Sequence, residues 1–205
     1  MKIAVSGPAA TGKTYFIGQL KMFDIVPESA RIVNKHYPVL VQNNIEKFRK
    51  FVSHLHVYKE QQYVKNVACD RCVIDNLAFT LLGGKGYEEE KERILSLYES
   101  KKLTPYNLIL YFDVIPVDDP LLRNALNDPL RKNTINIYNY AQHVLEFKDA
   151  FFYVAKELGV ERQVTVLTAY TTAEHYTLRN QEALQTIQSQ RIQQLQTFLD
   201  VDYCL

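Results

Sequence analysis

The sequence predicts an α/β fold: a five-stranded parallel sheet with helices on both faces. Three observations carry this reading. Five short apolar runs, at residues 2–6, 24–27, 66–74, 106–113 and 163–168, read as buried strands. The stretches between them are long enough for crossover helices, which is how parallel strands are joined. The first run leads straight into Gly7-Pro8-Ala9-Ala10-Thr11-Gly12-Lys13-Thr14, which fits G-x-x-x-x-G-K-[ST] at every fixed position. Such sheets collect ligands at the carboxyl ends of their strands. Functional residues are therefore sought where the first four runs end.

The first strand and its loop supply the three parts of a phosphate site: a strand end, a tight turn with inward N–H groups, and a helix N-terminus. Gly7 and Gly12 permit the torsions, and Lys13 is placed to reach β- and γ-phosphates. Thr14 is placed to hold Mg²⁺ through its hydroxyl. All eight loop residues, Gly7, Pro8, Ala9, Ala10, Thr11, Gly12, Lys13 and Thr14, are expected to cradle a triphosphate, with the helix continuing through Leu20.

The second strand ends in Val26-Pro27-Glu28-Ser29-Ala30-Arg31, which sets a carboxylate in front of the γ-phosphate. A helix over 44–65 follows, with Ile45, Phe48, Phe51, Val52, Leu55 and Tyr58 on an apolar face and Lys47, Arg49, Lys50 and Lys59 on a basic one. The third strand, 66–74, carries Asp70 and Arg71, with Asp75 four residues beyond the arginine. Gly83-Gly84-Lys85-Gly86 reads as a turn that opens an acidic-first helix. The fourth strand ends near Asp113 and leads to an arginine-bearing lid over about 115–135, with Arg123 and Arg131 suited to closing over phosphates; Asp113, Asp118 and Asp119 read as loop caps. After the fifth strand, a long helix over about 172–200 carries Leu184, Ile187, Ile192, Leu195 and Phe198 as a stripe expected to pack on the sheet.

Composition narrows the class. At 205 residues, 47% apolar and 23% charged, the chain suits one α/β domain spanning 1–205. A net charge of +1 lacks the footprint of a protein that lives on nucleic acid or an anionic membrane. No apolar stretch is long enough to span a bilayer and the first strand starts at once, so a cytoplasmic protein is expected. Three cysteines make no disulfide framework, in keeping with a reducing compartment. The C-x-x-C of Cys69 and Cys72 with His54 and His56 is not expected to bind metal: H-x-H on a helix points the two rings apart, leaving two partly exposed histidines and two small residues flanking a strand end.

The segment Asp70-Arg71-x-x-x-Asp75-x-x-Ala78-Phe79 is similar to the D-R-x-x-x-S-x-x-A-Y stretch of thymidylate kinases and to the D-R-x-x-x-D-x-x-A-Y stretch of ribosylnicotinamide-kinase-like proteins. With the loop and the Leu-Tyr-Phe-Asp-Val strand, the chain resembles the P-loop small-molecule kinases from Lys2 to about Thr168. The resemblance implies ATP and Mg²⁺ as cofactors, with Lys13 on the triphosphate and Thr14 and Asp70 on the metal. It implies that Arg71 contacts acceptor or phosphate groups, and that Glu28 takes a proton from an acceptor hydroxyl. Arg31 and Asp75 would complete the acceptor side, and Arg123 and Arg131 would stabilise the transferred phosphoryl. Two departures argue against thymidylate: Pro27 precedes Glu28 where thymidylate kinases have Arg before Glu-Pro, and Asp75 replaces the serine.

A hydroxyl acceptor must lose a proton and benefits from a carboxylate, whereas a phosphate acceptor needs cations. Glu28 and Asp75 tip the balance toward an alcohol, while Arg31, Arg71 and Arg123 keep a phosphate open. The expectation is a kinase that moves the γ-phosphoryl of ATP to a nucleoside, a nucleotide or ribosylnicotinamide. The alternatives are a polynucleotide-directed kinase using the basic helix face, with nucleic acid the less favoured partner, and a regulatory NTPase without kinase activity. A homodimer is compatible with the sequence, which does not set the oligomeric state.

Overall fold

The computed structural model describes residues 1–63, 65–117, 120–126 and 139–202, and the side chains of these except 121, 125 and 194–202. Five strands, β1 (Lys2–Ser6), β2 (Asp24–Val26), β3 (Val67–Asp70), β4 (Leu108–Ile115) and β5 (Val164–Tyr170), form one sheet in the order β2-β3-β1-β4-β5. Every pairing is parallel. The chain moves from β1 to one side for β2 and β3 and then crosses to the other for β4 and β5. This puts the topological switch point, where ligand crevices open, at the end of β1.

Side chains alternate between two apolar layers, as the pleat requires. Ala4, Cys69, Ile109 and Tyr111 face one layer with Ile74 and Leu77 of α5 (Val73–Leu82) and Phe147 and Phe151 of α8 (Tyr140–Glu157). Ile3, Val5, Ala68, Leu110 and Phe112 face the other, with Phe16 and Ile17 of α1 (Lys13–Ile17) and Ala183 and Ile187 of α9 (Ala173–Asp202). The remaining helices are α2 (Ser29–His36), α3 (Pro38–Asn43), α4 (Ile45–Gln61), α6 (Tyr87–Glu99) and α7 (Pro120–Leu126). Among the described residues no helix is long and apolar enough to cross a membrane.

Several boundaries differ from the sequence reading. The third strand stops at Asp70 instead of residue 74, because Arg71 adopts φ 74° and Cys72 caps α5. The Cys72 amide donates to the Asp75 carboxylate at 2.8 Å, so Val73 and Ile74 are buried as helix; a short apolar run cannot by itself tell the two apart. Helix α1 ends at Ile17, short of Leu20, with Gly18 as its cap. The buried face of α4 is Val52, Ser53, His56, Val57 and Glu60, whereas Ile45, Phe51 and Tyr58 are exposed. In α9 the buried line runs through Arg179, Asn180, Ala183 and Ile187, while Leu184 and Ile192 face outward.

The turn of α4 corrects a second expectation. His56 is fully buried, not partly exposed, and only His54 lies at the surface. Glu60 is the centre of a buried polar cluster. It accepts from the Tyr106 hydroxyl, lies 2.9 Å from His56 Nε2 and 2.6 Å from Lys2 Nζ, and has Cys69 beside it. His56, Glu60 and Cys69 are grouped closely enough to suggest a metal set. The Lys2 ammonium already neutralises Glu60, however, and Cys69 and Cys72 are free thiols pushed up by burial. The cluster ties β1, α4, β3 and the entry to β4 together. Burial alone raises the Glu60 carboxyl, but His56 and Lys2 outweigh it and bring it from 4.5 down to about 2.

A depressed carboxyl stabilises the fold above its unfolded pKa, and that stability drains away as pH falls through the folded one. The Glu60 contribution should therefore be complete above pH 4.5 and lost on acidification toward pH 2. Glu60→Gln should cost about 3–5 kcal/mol by leaving Lys2 unmatched in the interior, and should flatten the acid limb over that window. Urea unfolding at a series of pH values measures both.

Candidate active site

The loop after β1 is shaped by steric necessity at Gly7. Its φ is 129°, and a Cβ there would lie 2.4 Å from the backbone oxygen of Phe112 on β4, so only glycine fits. At the far end Gly12, with φ 73°, forms the N-cap of α1. Between them, three side chains hold the loop from outside. Tyr140 of α8 donates to the Ala9 carbonyl at 2.7 Å, Tyr176 of α9 to Ala10 at 2.8 Å, and Arg179 of α9 to Thr11 at 2.6 Å. In a planar trans peptide the N–H points opposite to the C=O. Pinning the carbonyls of residues 9, 10 and 11 outward thus turns the N–H groups of Ala10, Thr11 and Gly12 toward the opposite, concave side. This is the arrangement that binds anions.

Lys13 is buried and folds back over its own loop, with Nζ 2.5 Å from the Pro8 carbonyl and 3.1 Å from Thr11 Oγ1. Burial, and then Arg71, push its ammonium well below the ordinary lysine range. Thr14 donates to Asp70 Oδ2 at 2.6 Å across the ends of β1 and β3. Asp70 Oδ1 is buried with no hydrogen-bond partner among the described residues. Burial and the nearby Glu28 raise the Asp70 carboxyl.

Arg71 joins the remaining parts. Its left-handed backbone turns the side chain back over the strand ends, where Nε donates to Glu28 at 2.7 Å. NH1 donates to the Gly7 carbonyl at 3.0 Å and to Asp75 at 2.9 Å. Glu28 is also paired with Arg31 at 2.8 Å. Burial pushes the Glu28 carboxyl up, but Arg71, Lys13 and Arg31 overcome this and hold it at about 2. Asp75 is fixed further by Ser6, whose hydroxyl donates to its second oxygen, and by its capping bond to Cys72. The Arg71 guanidinium lies over the rings of Phe79 and Phe147, 5.1 and 5.7 Å from their centroids. His143 lies nearly parallel to Phe79, and burial followed by Arg71 pushes it below the ordinary histidine range.

Of the residues named from sequence, Lys13, Thr14, Glu28, Arg31, Asp70, Arg71 and Asp75 thus share one cleft. Arg123 stands exposed on α7, and Arg131, Asp118 and Asp119 lie outside the described residues. Asp113 accepts from Lys148 at 2.7 Å, a structural pairing. Ser6, Tyr140, Tyr176 and Arg179 were not foreseen. For Arg179 the sequence holds a clue: a charged residue at an apolar-face position, four and eight residues before Ala183 and Ile187.

No protein-family model matches the chain, and no curated protein matches it in sequence. Solved structures do match. Deoxyadenosine kinase from M. mycoides with bound dCMP and dCDP superposes with a TM-score of 0.58 at 14% identity, over 92% of this chain and 99% of that one. Thymidylate kinase from Candida albicans gives 0.57 at 13% identity, over 92% of each chain. NadR in complex with NR gives 0.59 at 16% identity, over 92% of this chain but 48% of NadR, so this chain spans about half of that protein. At such identities the likeness is one of architecture, and the chain has the fold of the P-loop nucleoside and nucleotide kinases.

Proposed function

We propose that the protein is an ATP- and Mg²⁺-dependent kinase that transfers the γ-phosphoryl to a hydroxyl of a small nucleoside-like acceptor, a nucleoside or a ribosylnicotinamide being the best-supported choice. The observation that carries this is the meeting, in one cleft, of a phosphate loop with Lys13 and a clamped carboxylate at the end of β2.

The donor side suits a triphosphate. Inward N–H groups and a desolvated ammonium whose hydrogen bonds among the described residues go to a carbonyl and a hydroxyl favour an anion over water. Thr14 and Asp70 fit a Mg²⁺ ion, since Asp70 keeps a buried oxygen with no hydrogen-bond partner among the described residues and hard cations take oxygen ligands. When bound, the metal would neutralise charge on the phosphates.

The acceptor side suits an alcohol. Among the described residues, the two arginines Arg31 and Arg71 are matched there by two carboxylates, Glu28 and Asp75, which leaves neither arginine as a spare cation for an acceptor phosphate. Glu28, ionised at any ordinary pH, is ready to accept a hydrogen bond from a hydroxyl and orient it toward the donor. Phosphoryl transfer is mainly positioning and charge neutralisation, so a weakly basic carboxylate is adequate for that task. The basic face imagined for nucleic acid is broken up: Lys50 pairs with Glu89 at 2.7 Å, and Arg49 packs over Gly83.

Transfer of γ-labelled phosphate from ATP to a panel of nucleosides, ribosides, monophosphates and oligonucleotides tests the reading. Label should move to nucleosides or ribosides ahead of monophosphates, and Lys13→Ala should abolish it. Label released only to water, at the same rate with and without acceptors, would overturn the kinase assignment. Glu28→Gln should lower kcat by about 10²–10⁴ with little change in the KM for ATP.

The metal assignment has its own check. In Asp70→Asn the concentration of Mg²⁺ that half-saturates turnover should rise about tenfold or more, because a ligand charge is lost. An unchanged Mg²⁺ titration would remove Asp70 from the metal site.

A further inference from the structure

The side chain of Arg179 lies in the interior against the phosphate loop, 2% exposed, and has no carboxylate against it among the described residues. Its guanidinium carbon sits 3.9 Å from the centroid of the Phe112 ring and 4.6 Å from that of Tyr176. One amino group donates to the Thr11 carbonyl at 2.6 Å; Nε and NH1 have no hydrogen-bond partner among the described residues. Two aromatic faces recover only part of what a buried cation loses on leaving water. Burial accordingly draws the guanidinium down to about 10. A charge held this way, with no counter-ion among the described residues, is incomplete in the ligand-free chain.

The geometry points to where the counter-charge enters. A Cβ on Gly12 would lie 3.5 Å from Arg179 NH2 and 3.6 Å from the Tyr176 ring, so the guanidinium is directly behind the loop. The carbonyl it holds belongs to the peptide whose N–H is that of Gly12, and this N–H faces the concave side. A donor on the carbonyl polarises the peptide and strengthens that N–H as a donor in turn. We propose that Arg179 is a nucleotide-positioning residue: from behind the loop, through the Thr11–Gly12 peptide, it supplies charge that is balanced only when a polyphosphate occupies the loop. This couples the C-terminal helix to nucleotide binding. It rests on the reading of the loop as a triphosphate site, and goes beyond it by giving α9 a role in affinity.

The test compares Arg179→Met, which keeps an unbranched apolar stem out to about the position of Nε without the charge, with Arg179→Lys, which keeps the charge without the fork. Binding of ATP, ADP and AMP is measured by calorimetry, and the melting temperature with and without each. For Arg179→Met, ATP affinity should fall about tenfold or more, ADP less and AMP least, since Coulomb attraction scales with ligand charge. The ligand-free melting temperature should hold or rise, because an unmatched buried charge has been removed. Arg179→Lys should retain more of the ATP affinity than the methionine variant. A purely structural role predicts the reverse: a lower ligand-free melting temperature, or failure to fold, with affinity losses equal for the three nucleotides. Either of those results overturns the proposal. Wild-type protein that binds no nucleotide would defeat the loop reading itself. Wild-type and Arg179→Met binding ATP equally well would defeat this inference alone.

Discussion

The geometry of the cleft depends on one residue whose backbone and side chain are both constrained. Arg71 takes a left-handed backbone at the end of β3, a conformation that a side-chain-bearing residue holds only when its surroundings enforce it. The enforcement is visible. Its amide donates to Val5 at 3.0 Å, and its guanidinium reaches Gly7, Glu28 and Asp75 at once. One side chain thus joins the end of β1, the end of β2 and the start of α5. Glu28 and Asp75 raise its affinity for its proton against the penalty of burial, so the charge is permanent. Removing it would leave the buried Asp75 carboxylate without its cation and Glu28 with Arg31 alone, and would free the ends of three elements together.

Around that anchor the cleft divides by charge. Among the described residues of the acceptor side, Arg31 and Arg71 are paired with Glu28 and Asp75, two cations against two carboxylates. On the loop side Lys13 and Arg179 are buried cations whose hydrogen-bond acceptors are neutral carbonyls and a hydroxyl. The asymmetry follows from topology. Strands β2 and β3 bring in the carboxylates, while α8 and α9, returning after β4 and β5, bring in the groups that pin the loop carbonyls. Such a division would suit the donor rich in negative charge and the acceptor with little of its own that the proposed function requires.

Much of this was legible along the chain, because it is local. The loop pattern, the strand before it, and carboxylates at strand ends all follow from short spacings, and Lys13, Thr14, Glu28, Asp70, Arg71 and Asp75 do converge. What was not legible is set by distant partners. The end of β3 depends on a cap made by Asp75, which no apolar count detects. The buried face of α4 is turned toward His56 and Glu60 because Lys2 and Tyr106, 58 and 46 residues from Glu60 along the chain, supply polar partners to Glu60, which with Ser29 in turn partners His56. The grip of α9 on the loop spans 166 and 168 residues, so neither Tyr176 nor Arg179 could be assigned from its neighbourhood.

The ligand-free contacts also indicate how a nucleotide would be received. The ammonium of Lys13 is bonded to the Pro8 carbonyl, a neutral acceptor, and is desolvated while it stays there. An ionised acceptor makes a hydrogen bond roughly twice as strong as a neutral one. Under the proposed reading, exchange of Pro8 for a phosphate oxygen would be favourable without exposing the lysine to water. Thr14 and Asp70 stand in a similar relation, since the hydroxyl spends its proton on a carboxylate that has a second oxygen unused. The carbonyls of Ala9, Ala10 and Thr11, by contrast, are held from outside by Tyr140, Tyr176 and Arg179 and need no new partners. Under the proposed reading, pinned carbonyls and exchangeable side-chain contacts would keep the ordering cost of binding low and leave charge to weigh most in the affinity.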